Sequence, residues 1–433
     1  MDRSDPSRRS IAVIGSGVSG LVAAYALASR DRVTLYEADS RLGGHAHTHY
    51  IDVDQGDGHT VAVDSAFLVH NDRTYPTLCR LFDELGIATR ETDMSMSVRD
   101  DASGLEYAGA RGFGGLFPSM STLTRPRYLL MLAEVKRFHR AALRLLESDA
   151  DDATVGEFLD RHGFSAYFID YFMTPLIAAV WSSPPGQSLR YPARYLFVFL
   201  EHHGMLSVFG SPTWRTVVGG SANYVDAVAN NIDEVRLCAP VHSVRRVPDG
   251  VEVTAGISGS RLFDAAVIAT HPDQALLMLV EPTSAERAVL GAIGYSTNHA
   301  LLHTDESVLP RHHRARASWN YLATPDDGRV LVTYDVTRLM RLSGEFRFLV
   351  TLGGEDYVDP AAVLAEMTYS HPIYTPESVA AQQLLPTLDD GRVVFAGAYH
   401  GWGFHEDGAA SGLRAARRLG AEWPATRREA VPC

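Results

Sequence analysis

The stretch SIAVIGSGVSG, residues 10–20, decides the fold because it joins an apolar strand to a helix through a glycine-rich turn. Residues 10–14 form the predicted strand and residues 18–29 the predicted helix. A second apolar strand is predicted over residues 33–36. The order of strand, glycine turn, helix and strand is typical of a βαβ unit that binds a dinucleotide.

The glycines of this turn have separate roles in such a unit. Gly15 permits the tight turn, Gly17 lets the backbone approach a pyrophosphate, and Gly20 lets the helix pack closely on the strand. The first turn of the helix, which contains Ser19, offers N–H groups to phosphate oxygens. We therefore predict that Gly15, Gly17, Ser19 and Gly20 bind the cofactor.

Glu37 ends the second strand and follows Gly15 by 22 residues. At that distance a carboxylate accepts hydrogen bonds from a ribose diol and disfavours a 2′-phosphate. Together with the strand, turn and helix, Glu37 makes the dinucleotide prediction specific.

The N-terminus allows a second interpretation. Arg8-Arg9, followed by an apolar run that ends in Ala26-Leu27-Ala28, resembles a twin-arginine signal with its cleavage site. Cleavage there would remove the strand, the glycine turn and the helix. The nucleotide-binding interpretation is therefore preferred.

Composition and charge exclude other classes of protein. The chain has 433 residues, 46% of them apolar, which suits two or three domains. A net charge of −13 repels phosphate backbones and argues against nucleic-acid binding. The three cysteines are far apart, which excludes a disulfide framework and suits the cytoplasm. No apolar run approaches the ~20 residues that cross a bilayer.

The order of the predicted elements indicates a discontinuous arrangement of domains. The expected fold class is α/β, with a Rossmann-type nucleotide-binding domain and an inserted α+β substrate domain. The nucleotide-binding domain is predicted from three segments: residues 8–65, 217–285 and 390–420. The substrate domain is predicted from two segments: residues 66–216 and 286–389. The polar residues 421–433 are predicted to form a loose tail.

The residues after the second strand narrow the cofactor. Glu37-Ala38-Asp39-Ser40-Arg41-Leu42-Gly43-Gly44 resembles the E-x-x-x-R-x-G-G motif of the flavin-containing amine oxidase and carotenoid desaturase superfamily. In that superfamily the arginine and glycines support the pyrophosphate of FAD. The resemblance implies FAD and assigns to it Glu37, Ala38, Arg41, Gly43, Gly44 and the adjacent His45. No cysteine precedes the C-terminal motif, which argues for non-covalent FAD, although a link through His45 stays open.

Three later segments resemble the same superfamily. Gly219-Gly220-Ser221 opens a helix, and Val241 matches the residue whose backbone holds the adenine. Residues 395–397 and 407–412 match the C-terminal flavin motif, whose helix N-terminus would stabilise negative charge on the reduced ring. The resemblance adds these cofactor-binding residues: Val241, Gly397, Glu406, Asp407 and Ala409.

Four strings are similar to a narrower bacterial family of predicted NAD/FAD-binding proteins, many of them encoded beside cyclopropane-fatty-acid-synthase-like methyltransferases. The strings are GGHAHT at 43–48, NDRTYP at 71–76, WSSPP at 181–185 and GFHEDG at 403–408. One branch of that family has been linked to desaturation of methylated fatty-acyl chains. The resemblance therefore implies an acyl-lipid or other small-molecule substrate.

Several residues are predicted beside the substrate. His405 falls near the position where amine oxidases place an aromatic residue next to the flavin, and it could act as a general base or be purely structural. Tyr399, Trp402 and Phe404 would wall the pocket, or pack in the core. Asp335 stands on the substrate side, where the family is expected to have tryptophan. The chain also departs from the family pattern at Ser65-Ala66, Thr337 and Ala398-Tyr399.

Three histidines alternate at positions 45, 47 and 49. No cysteine or acidic residue at metal-ligand spacing accompanies them, so no metal site is predicted.

The leading hypothesis is an FAD-dependent oxidoreductase, a dehydrogenase, desaturase or oxidase, that acts on a C–H bond of an apolar substrate such as a fatty-acyl chain. Only one dinucleotide fingerprint occurs in the sequence, so no separate nicotinamide domain is expected. Three alternatives stay open: an amine or amino-acid oxidase, an isomerase without net redox chemistry, and a non-catalytic subunit that holds FAD.

Residues 125–147 differ from the acidic background. They carry six basic residues against two glutamates, a net charge of +4, together with several leucines. Such a helix could contact an anionic membrane from the cytoplasm, or could be a solvated helix packed on its own domain. The oligomeric state is not predicted.

Overall fold

The computed structural model of the chain describes residues 8–53, 60–148, 153–181, 188–207, 210–256, 259–324 and 330–423. Short apolar runs rich in β-branched residues form the strands. In chain order the strands are β1 Ser10–Ile14, β2 Arg32–Tyr36, β3 Thr48–Asp52, β4 Thr60–Asp64, β5 His70–Asn71, β6 Thr89–Glu91, β7 Met96–Asp100, β8 Leu105–Gly109, β9 Trp214–Val217, β10 Glu234–Arg236, β11 Val241–Val247, β12 Gly250–Ala255, β13 Ser260–Phe263, β14 Ala265–Ile268, β15 Tyr295–His303, β16 Trp319–Ala323, β17 Val330–Asp335, β18 Leu349–Leu352, β19 Val363–Pro372 and β20 Val393–Phe395.

Helices form where apolar residues recur every three or four positions. In chain order they are α1 Val18–Ala28, α2 Pro76–Leu85, α3 Gly112–Leu116, α4 Met120–Leu123, α5 Pro126–Leu146, α6 Val155–Arg161, α7 Ala166–Phe168, α8 Thr174–Trp181, α9 Ala193–His202, α10 Ala222–Ala229, α11 Pro272–Met278, α12 Ser284–Gly291, α13 Val336–Leu339, α14 Pro376–Gln382 and α15 His405–Arg418. A π-helical turn at Ile169–Met173 joins α7 to α8.

A five-stranded parallel sheet, in the order β10-β2-β1-β14-β20, contains the predicted βαβ unit. Its central strand is fully buried beyond Ser10 because helices cover one face and further strands and helices cover the other. Ile11 and Val13 pack against α1, α2, α10 and α15, whereas Ala12 and Ile14 pack against β11, β12 and α11. The predicted Rossmann-type α/β fold class is confirmed.

The second large sheet is mixed, in the order β19-β15-β18-β17-β16-β7-β8. Its strands come from residues 96–109 and 295–372, and β16 pairs in parallel with β7. Helices α5 to α9 pack against β7, β8, β16 and β17 in a separate apolar core. The two large sheets therefore belong to different cores, and the cavity described below lies between them.

Two expectations at the C-terminus need correction. The helix expected at the C-terminal flavin motif, residues 407–412, begins earlier, at His405, where Asp407 accepts a hydrogen bond from the backbone N–H of Phe404 and caps the first turn. Residues 421–423 are not loose: Trp423 is buried, lies 5.8 Å from the ring of Tyr25 and donates to Glu84. Residues 424–433 lie outside the described part of the chain.

Among the described residues, no helix is both long and apolar enough to cross a membrane.

Candidate functional site

A cavity of about 780 Å³ opens at the carboxyl ends of β1 and β2 and continues toward the helices of the second core. Ile14 and Tyr36, the last residues of these two strands, line it. Ligands of parallel α/β sheets bind at this edge, because the strand ends and the helix N-termini meet there. We call the part lined by the βαβ unit the nucleotide end.

The glycine turn shapes the nucleotide end in two ways. Gly15 has a φ of 97°, a left-handed conformation that favours glycine, and a Cβ at Gly20 would lie 1.9 Å from the Gly15 carbonyl oxygen. At Gly17, by contrast, a Cβ would meet no protein atom within 4 Å. Gly15 and Gly20 are therefore required by the fold, whereas Gly17 leaves open space for a ligand.

Glu37 is fixed by three hydrogen bonds. One carboxylate oxygen accepts from the backbone N–H and the hydroxyl of Ser16, at 2.9 and 2.5 Å, and the other accepts from the N–H of Asp39 at 2.9 Å. A carboxylate has about four lone-pair positions, so both oxygens keep capacity for a ribose hydroxyl.

The loop after β2 folds back onto the glycine turn. Gly43 donates its N–H to the Ser16 carbonyl at 3.1 Å, and a Cβ at Gly44 would lie 3.2 Å from the Cα of Gly17. Arg41 lines the cavity and makes no ion pair with another described residue, so its charge is available to a phosphate. Ala38, Val241 and Gly397 also line the cavity.

Helix α15 brings a second N-terminus to the same place. A Cβ at Gly412 would lie 2.1 Å from the Ser19 carbonyl oxygen, and a Cβ at Gly408 would lie 2.6 Å from Val18. These glycines allow α15 to contact α1 closely. Both helices begin at residues that line the cavity, so both direct the positive ends of their dipoles toward it.

Three predicted cofactor residues of α15 have other roles. Glu406 accepts the backbone N–H groups of Thr77 and Leu78, each at 3.0 Å, and so caps α2. Asp407 caps its own helix, and burial raises its pKa to about 7. Ala409 is fully buried in the core between α1 and α15. None of the three lines this cavity, although Glu406 and Asp407 line a smaller neighbouring pocket.

The residues of the nucleotide end fit FAD. The donor set consists of backbone N–H groups, two helix N-termini and Arg41, which suits a pyrophosphate, while Glu37 suits a ribose. His45 lines the cavity, and its Nε2 atom is buried without a hydrogen-bond partner among the described residues. Burial lowers the pKa of His45 well below its ordinary value, so the neutral ring can offer a donor or an acceptor to a bound group.

The other part of the cavity, which we call the inner arm, is lined almost entirely by apolar and aromatic side chains. The charged residues among the described cavity lining are Glu37, Asp39 and Arg41, and all three belong to the nucleotide end. The inner arm is formed by Ala179, Val180, Trp181, Phe199, His203, Met205, Trp214, Trp319, Tyr334, Leu352, Trp402 and Phe404. Burial lowers the pKa of His203 to about 4, so this residue is also uncharged at neutral pH.

His405 lines the cavity but is held by protein partners. Its ring stacks on Phe67 with centroids 3.7 Å apart, and its Nε2 lies 3.0 Å from the Tyr224 hydroxyl. Burial lowers the pKa of His405 to about 3. A base this weak accepts a proton poorly at neutral pH, so the geometry favours the structural alternative over a general base.

The predicted pocket residues divide into two groups. Trp402 and Phe404 line the inner arm, where Phe404 stacks on Phe199 at 4.8 Å. Tyr399 also lines the cavity, but it is fully buried in the core beneath the parallel sheet. Asp335, predicted on the substrate side, does not line this cavity: it is fully buried, accepts from the backbone N–H of Arg338 and pairs with Arg347 at 2.5 Å.

Sequence reasoning missed a polar network in the cavity wall. Ser65 and Tyr369 both line the cavity, and their hydroxyl oxygens lie 2.7 Å apart. Tyr369 is bonded to Nδ1 of His47 at 3.0 Å, and Ser65 to Nε2 of His49 at 2.9 Å. The alternation of histidines at 45, 47 and 49 was a signal of this wall, since alternate residues of an extended segment share a face. The described residues contain no group of three or more ligating side chains that could hold a metal ion.

Of the four strings that resemble the bacterial family, WSSPP lies mostly outside the described residues; only Trp181 is described, in the inner arm.

The model of the family described as flavin containing amine oxidoreductase matches residues 18–420. Protoporphyrinogen oxidase 2, chloroplastic/mitochondrial, of Arabidopsis thaliana is 26% identical over 229 residues, which are 50% of this chain and 41% of that protein. The match thus spans about two fifths of the length of the curated relative.

Solved structures of similar fold cover almost the whole chain. A redesigned variant of putrescine oxidase has a TM-score of 0.68 at 16% identity and covers 96% of this chain and 99% of its own. A CLA-producing fatty acid isomerase from P. acnes has a TM-score of 0.67 at 15% identity and covers 97% and 99%. At these identities the similarity shows the fold.

Proposed function

The chain belongs to the flavin-containing amine oxidoreductase family, and from that premise we propose that it oxidises a C–H bond of an uncharged, largely apolar substrate such as a fatty-acyl chain. It is a flavin-dependent oxidoreductase, and FAD is its cofactor. The observation that carries the substrate proposal is the uncharged, aromatic inner arm.

An apolar substrate is favoured because of what surrounds it in the inner arm. Burying apolar surface there contributes about 25 cal/mol per Å². A cationic amine would lose its hydration without gaining a carboxylate, because no described residue of the inner arm is acidic. The lining of the inner arm itself contains no arginine or lysine either. A smaller neighbouring pocket, which shares His203, Trp402 and Phe404 with the arm, is lined by the charged residues Arg73, Glu201, Glu406 and Asp407. The uncharged chain of an acyl ester or thioester therefore fits the arm better than a charged group does.

The shape of the family fold is compatible with such a ligand. The neighbouring structure with a TM-score of 0.67 is a fatty acid isomerase by name, although putrescine oxidase shares the fold equally well. The fold therefore accepts both classes, and the residues of the inner arm must decide between them.

Bound FAD supplies a hydride acceptor. The protein then has three tasks: to bind the cofactor at the nucleotide end, to hold the carbon to be oxidised in the inner arm, and to remove a proton. The N-termini of α1 and α15 favour negative charge beside the cofactor. The aromatic walls, among them Trp181, Phe199 and Phe404, exclude water from the reacting carbon.

Loss of hydride followed by formation of a carbon–carbon double bond releases one proton. Ser65 and Tyr369 are hydroxyl groups of the cavity wall that can accept and pass on this proton. His49 and His47 lie next in the network. Burial lowers the pKa of His47 to about 3 and that of His49 below its ordinary value, so both rings are neutral at pH 7 and, like His405, can pass a proton on but do not retain it. We propose this network as the route of the proton.

The proposal is tested by mixing the FAD-loaded protein, without oxygen, with methyl palmitate, palmitoyl-CoA, phosphatidylcholine, hexadecylamine and putrescine. We expect the flavin absorbance to bleach with one or more of the three acyl esters and thioesters, whose chains are uncharged, and to persist with both amines. Products of the acyl compounds are analysed for a new double bond by mass spectrometry.

Other outcomes contradict the proposal in different ways. Bleaching by the amines alone indicates an amine oxidase. A moved double bond, formed from an unsaturated acyl ester without net bleaching, indicates an isomerase. No reaction with the acyl compounds overturns the assignment of this substrate class.

A further inference from the structure

The exposed face of α5 combines basic and apolar side chains on a chain that is otherwise strongly acidic. The helix is 21 residues long, about 30 Å. Its buried face, which includes Tyr128, Met131 and Phe138, packs on α7 and α9. We call the exposed surface of the helix its exposed face: it consists of Arg127, in the first turn, and of residues on the side opposite the buried ones, namely Leu129, Leu130, Lys136, Arg140, Leu143 and Arg144.

The four cations of this face are not neutralised by the protein. Arg127, Lys136, Arg140 and Arg144 make no salt bridge with another described residue. The other two basic residues of the segment do have protein partners: Arg125 donates to the carbonyl of Gly104, and Arg137 pairs with Glu134 and lies over the ring of Phe164.

The acidic residue within α5 does not lie on the exposed face. Glu134 is buried and accepts from the backbone N–H and the hydroxyl of Ser165, at 2.9 and 2.5 Å, and so caps α7. Glu147, the residue that follows the helix, is exposed beside Arg144, but the four cations outnumber it. The exposed face of α5 is therefore positive, although the whole chain carries a net charge of −13.

Apolar side chains stand beside these cations in water. Leu130 is 57% exposed and Leu129 is 43% exposed. Phe113 and Met120, on the two short helices that lead into α5, are 70% and 76% exposed. Exposed large apolar side chains beside uncompensated cations fit a lipid surface, into which the apolar groups can insert while the cations meet phosphate.

We propose that this face of α5 docks on a bilayer that contains anionic phospholipid. Charge complementarity selects an anionic surface, and the exposed leucines favour a bilayer, into which they can insert, over a nucleic acid. The helix α9, on which α5 packs, supplies Phe199 to the inner arm. Docking therefore places the bilayer one helix layer from the cavity, but it does not depend on the identity of the substrate.

The test uses the full, FAD-loaded chain sedimented with vesicles of phosphatidylcholine alone or mixed equally with phosphatidylglycerol. We expect binding to the mixed vesicles that weakens with added salt, and little binding to phosphatidylcholine. Each cation near an anionic surface is worth about fivefold in binding, so R127Q/K136Q/R140Q/R144Q should lose about 100-fold or more. The matched control R32Q/R245Q/R287Q/R417Q removes four exposed arginines elsewhere and should bind as the unsubstituted protein does.

A second variant separates lipid insertion from simple charge attraction. L129S/L130S keeps every cation and should weaken vesicle binding about tenfold. Unchanged FAD content in all variants shows that they are folded. The inference is overturned if mixed vesicles are not bound at low salt, if the α5 variant binds as well as its control, or if duplex DNA at the same phosphate concentration binds as tightly as the vesicles.

Discussion

The two ends of the cavity are built in opposite ways. The nucleotide end consists of backbone groups and short side chains from residues 14–19 and 36–45, and it contains every charged residue of the described lining. The inner arm consists of large side chains contributed by α8, α9, β9, β16 and β17, far apart in the sequence. The first end recognises charge and hydrogen bonds, whereas the second recognises apolar surface.

This difference teaches where specificity lies in the molecule. A backbone cradle around a pyrophosphate can hardly vary without losing the cofactor, because the helix N-termini and the glycines must approach it closely. In an aromatic pocket, a single substitution can change which ligand binds. We therefore expect substitutions at the nucleotide end to abolish function and substitutions in the inner arm to redirect it.

The largest effect is expected for Gly17→Val. The backbone at Gly17 is extended, with φ −60° and ψ 172°, and a Cβ there meets no protein atom within 4 Å. The protein should therefore fold normally, while the side chain occupies the space of the pyrophosphate. Such overpacking costs about 1–3 kcal/mol, up to about 100-fold in the Kd of FAD. Titration of the apoprotein with FAD measures the loss.

Gly20→Ala is the matched control for that prediction. Its Cβ would lie 1.9 Å from the Gly15 carbonyl oxygen, so this variant should unfold at a lower temperature even without FAD. Full FAD binding by the Gly17→Val protein would show that the cofactor does not approach this turn.

A charge placed in the inner arm should reverse its preference. Met205 lines the arm, and Met205→Glu adds a carboxylate where the described lining has none. Binding of methyl palmitate should weaken about tenfold or more, because the carboxylate loses hydration, and hexadecylammonium should bind better. Perturbation of the flavin spectrum on titration of each ligand gives the two affinities. Met205→Gln has the same shape without the charge and should leave the preference unchanged; equal effects of both variants would contradict the comparison.

The same contrast explains what could be predicted from the sequence. The nucleotide end is built from residues that are close together in the sequence. Its spacing pattern therefore predicts the strand–helix order and the residues Gly15, Gly17 and Glu37. The inner arm is not predicted in this way: Trp214 and Trp319 belong to different segments, and an aromatic residue that lines a cavity has the same sequence pattern as one that fills a core.

Several predicted site residues have protein partners in the structure, for local physical reasons. Motif resemblance assigned Glu406 and Asp407 to the cofactor, but helix ends need partners for their free N–H groups, and both carboxylates are used for that purpose. Asp335 was assigned to the substrate side, but a buried carboxylate needs a cation, and it is paired with Arg347. The sequence does not show which partner such a group finds across the fold.

Substitutions in the polar network of the cavity wall should reduce function less than substitutions at either end of the cavity. Ser65→Ala removes the hydroxyl that joins Tyr369 to His49. With a substrate that bleaches the flavin, we expect flavin reduction to be about tenfold slower. This is less than the about 100-fold or more that general acid–base catalysis contributes, because a water molecule can take the place of the missing hydroxyl. The solvent deuterium isotope effect on that rate should increase. Ser65→Thr, which restores the hydroxyl, should recover most of the rate, and identical rates for all three proteins would exclude a role for Ser65.

The smallest effect is expected for the dependence of the unfolding free energy on pH. Burial lowers the pKa of seven histidines far below 6.5, to about 3 for His47, His400 and His405 and to about 4 for His70, His203, His303 and His371. Between pH 6.5 and 4 the unfolded chain binds protons at these rings and the folded chain does not, so stability falls as the pH falls. The raised pKa values of Asp64 and Asp407, about 6 and about 7, act in the opposite direction. Since the histidines outnumber these carboxylates, we expect net loss of stability on acidification.

His405→Gln isolates one of these contributions. Removing the ring should make the pH dependence of the unfolding free energy shallower by at most about 1.4 kcal/mol per pH unit between pH 6.5 and 4. Urea unfolding of the FAD-saturated protein at pH 7.5, 6 and 5 measures the slope, with the exposed His242→Gln as control. If the ring is instead protonated in the folded protein near neutral pH, the slopes of the variant and the unsubstituted protein will coincide. In that case His405 can act as a general base. The chemically active part of the cavity would then include His405, which stacks on Phe67, as well as the inner arm.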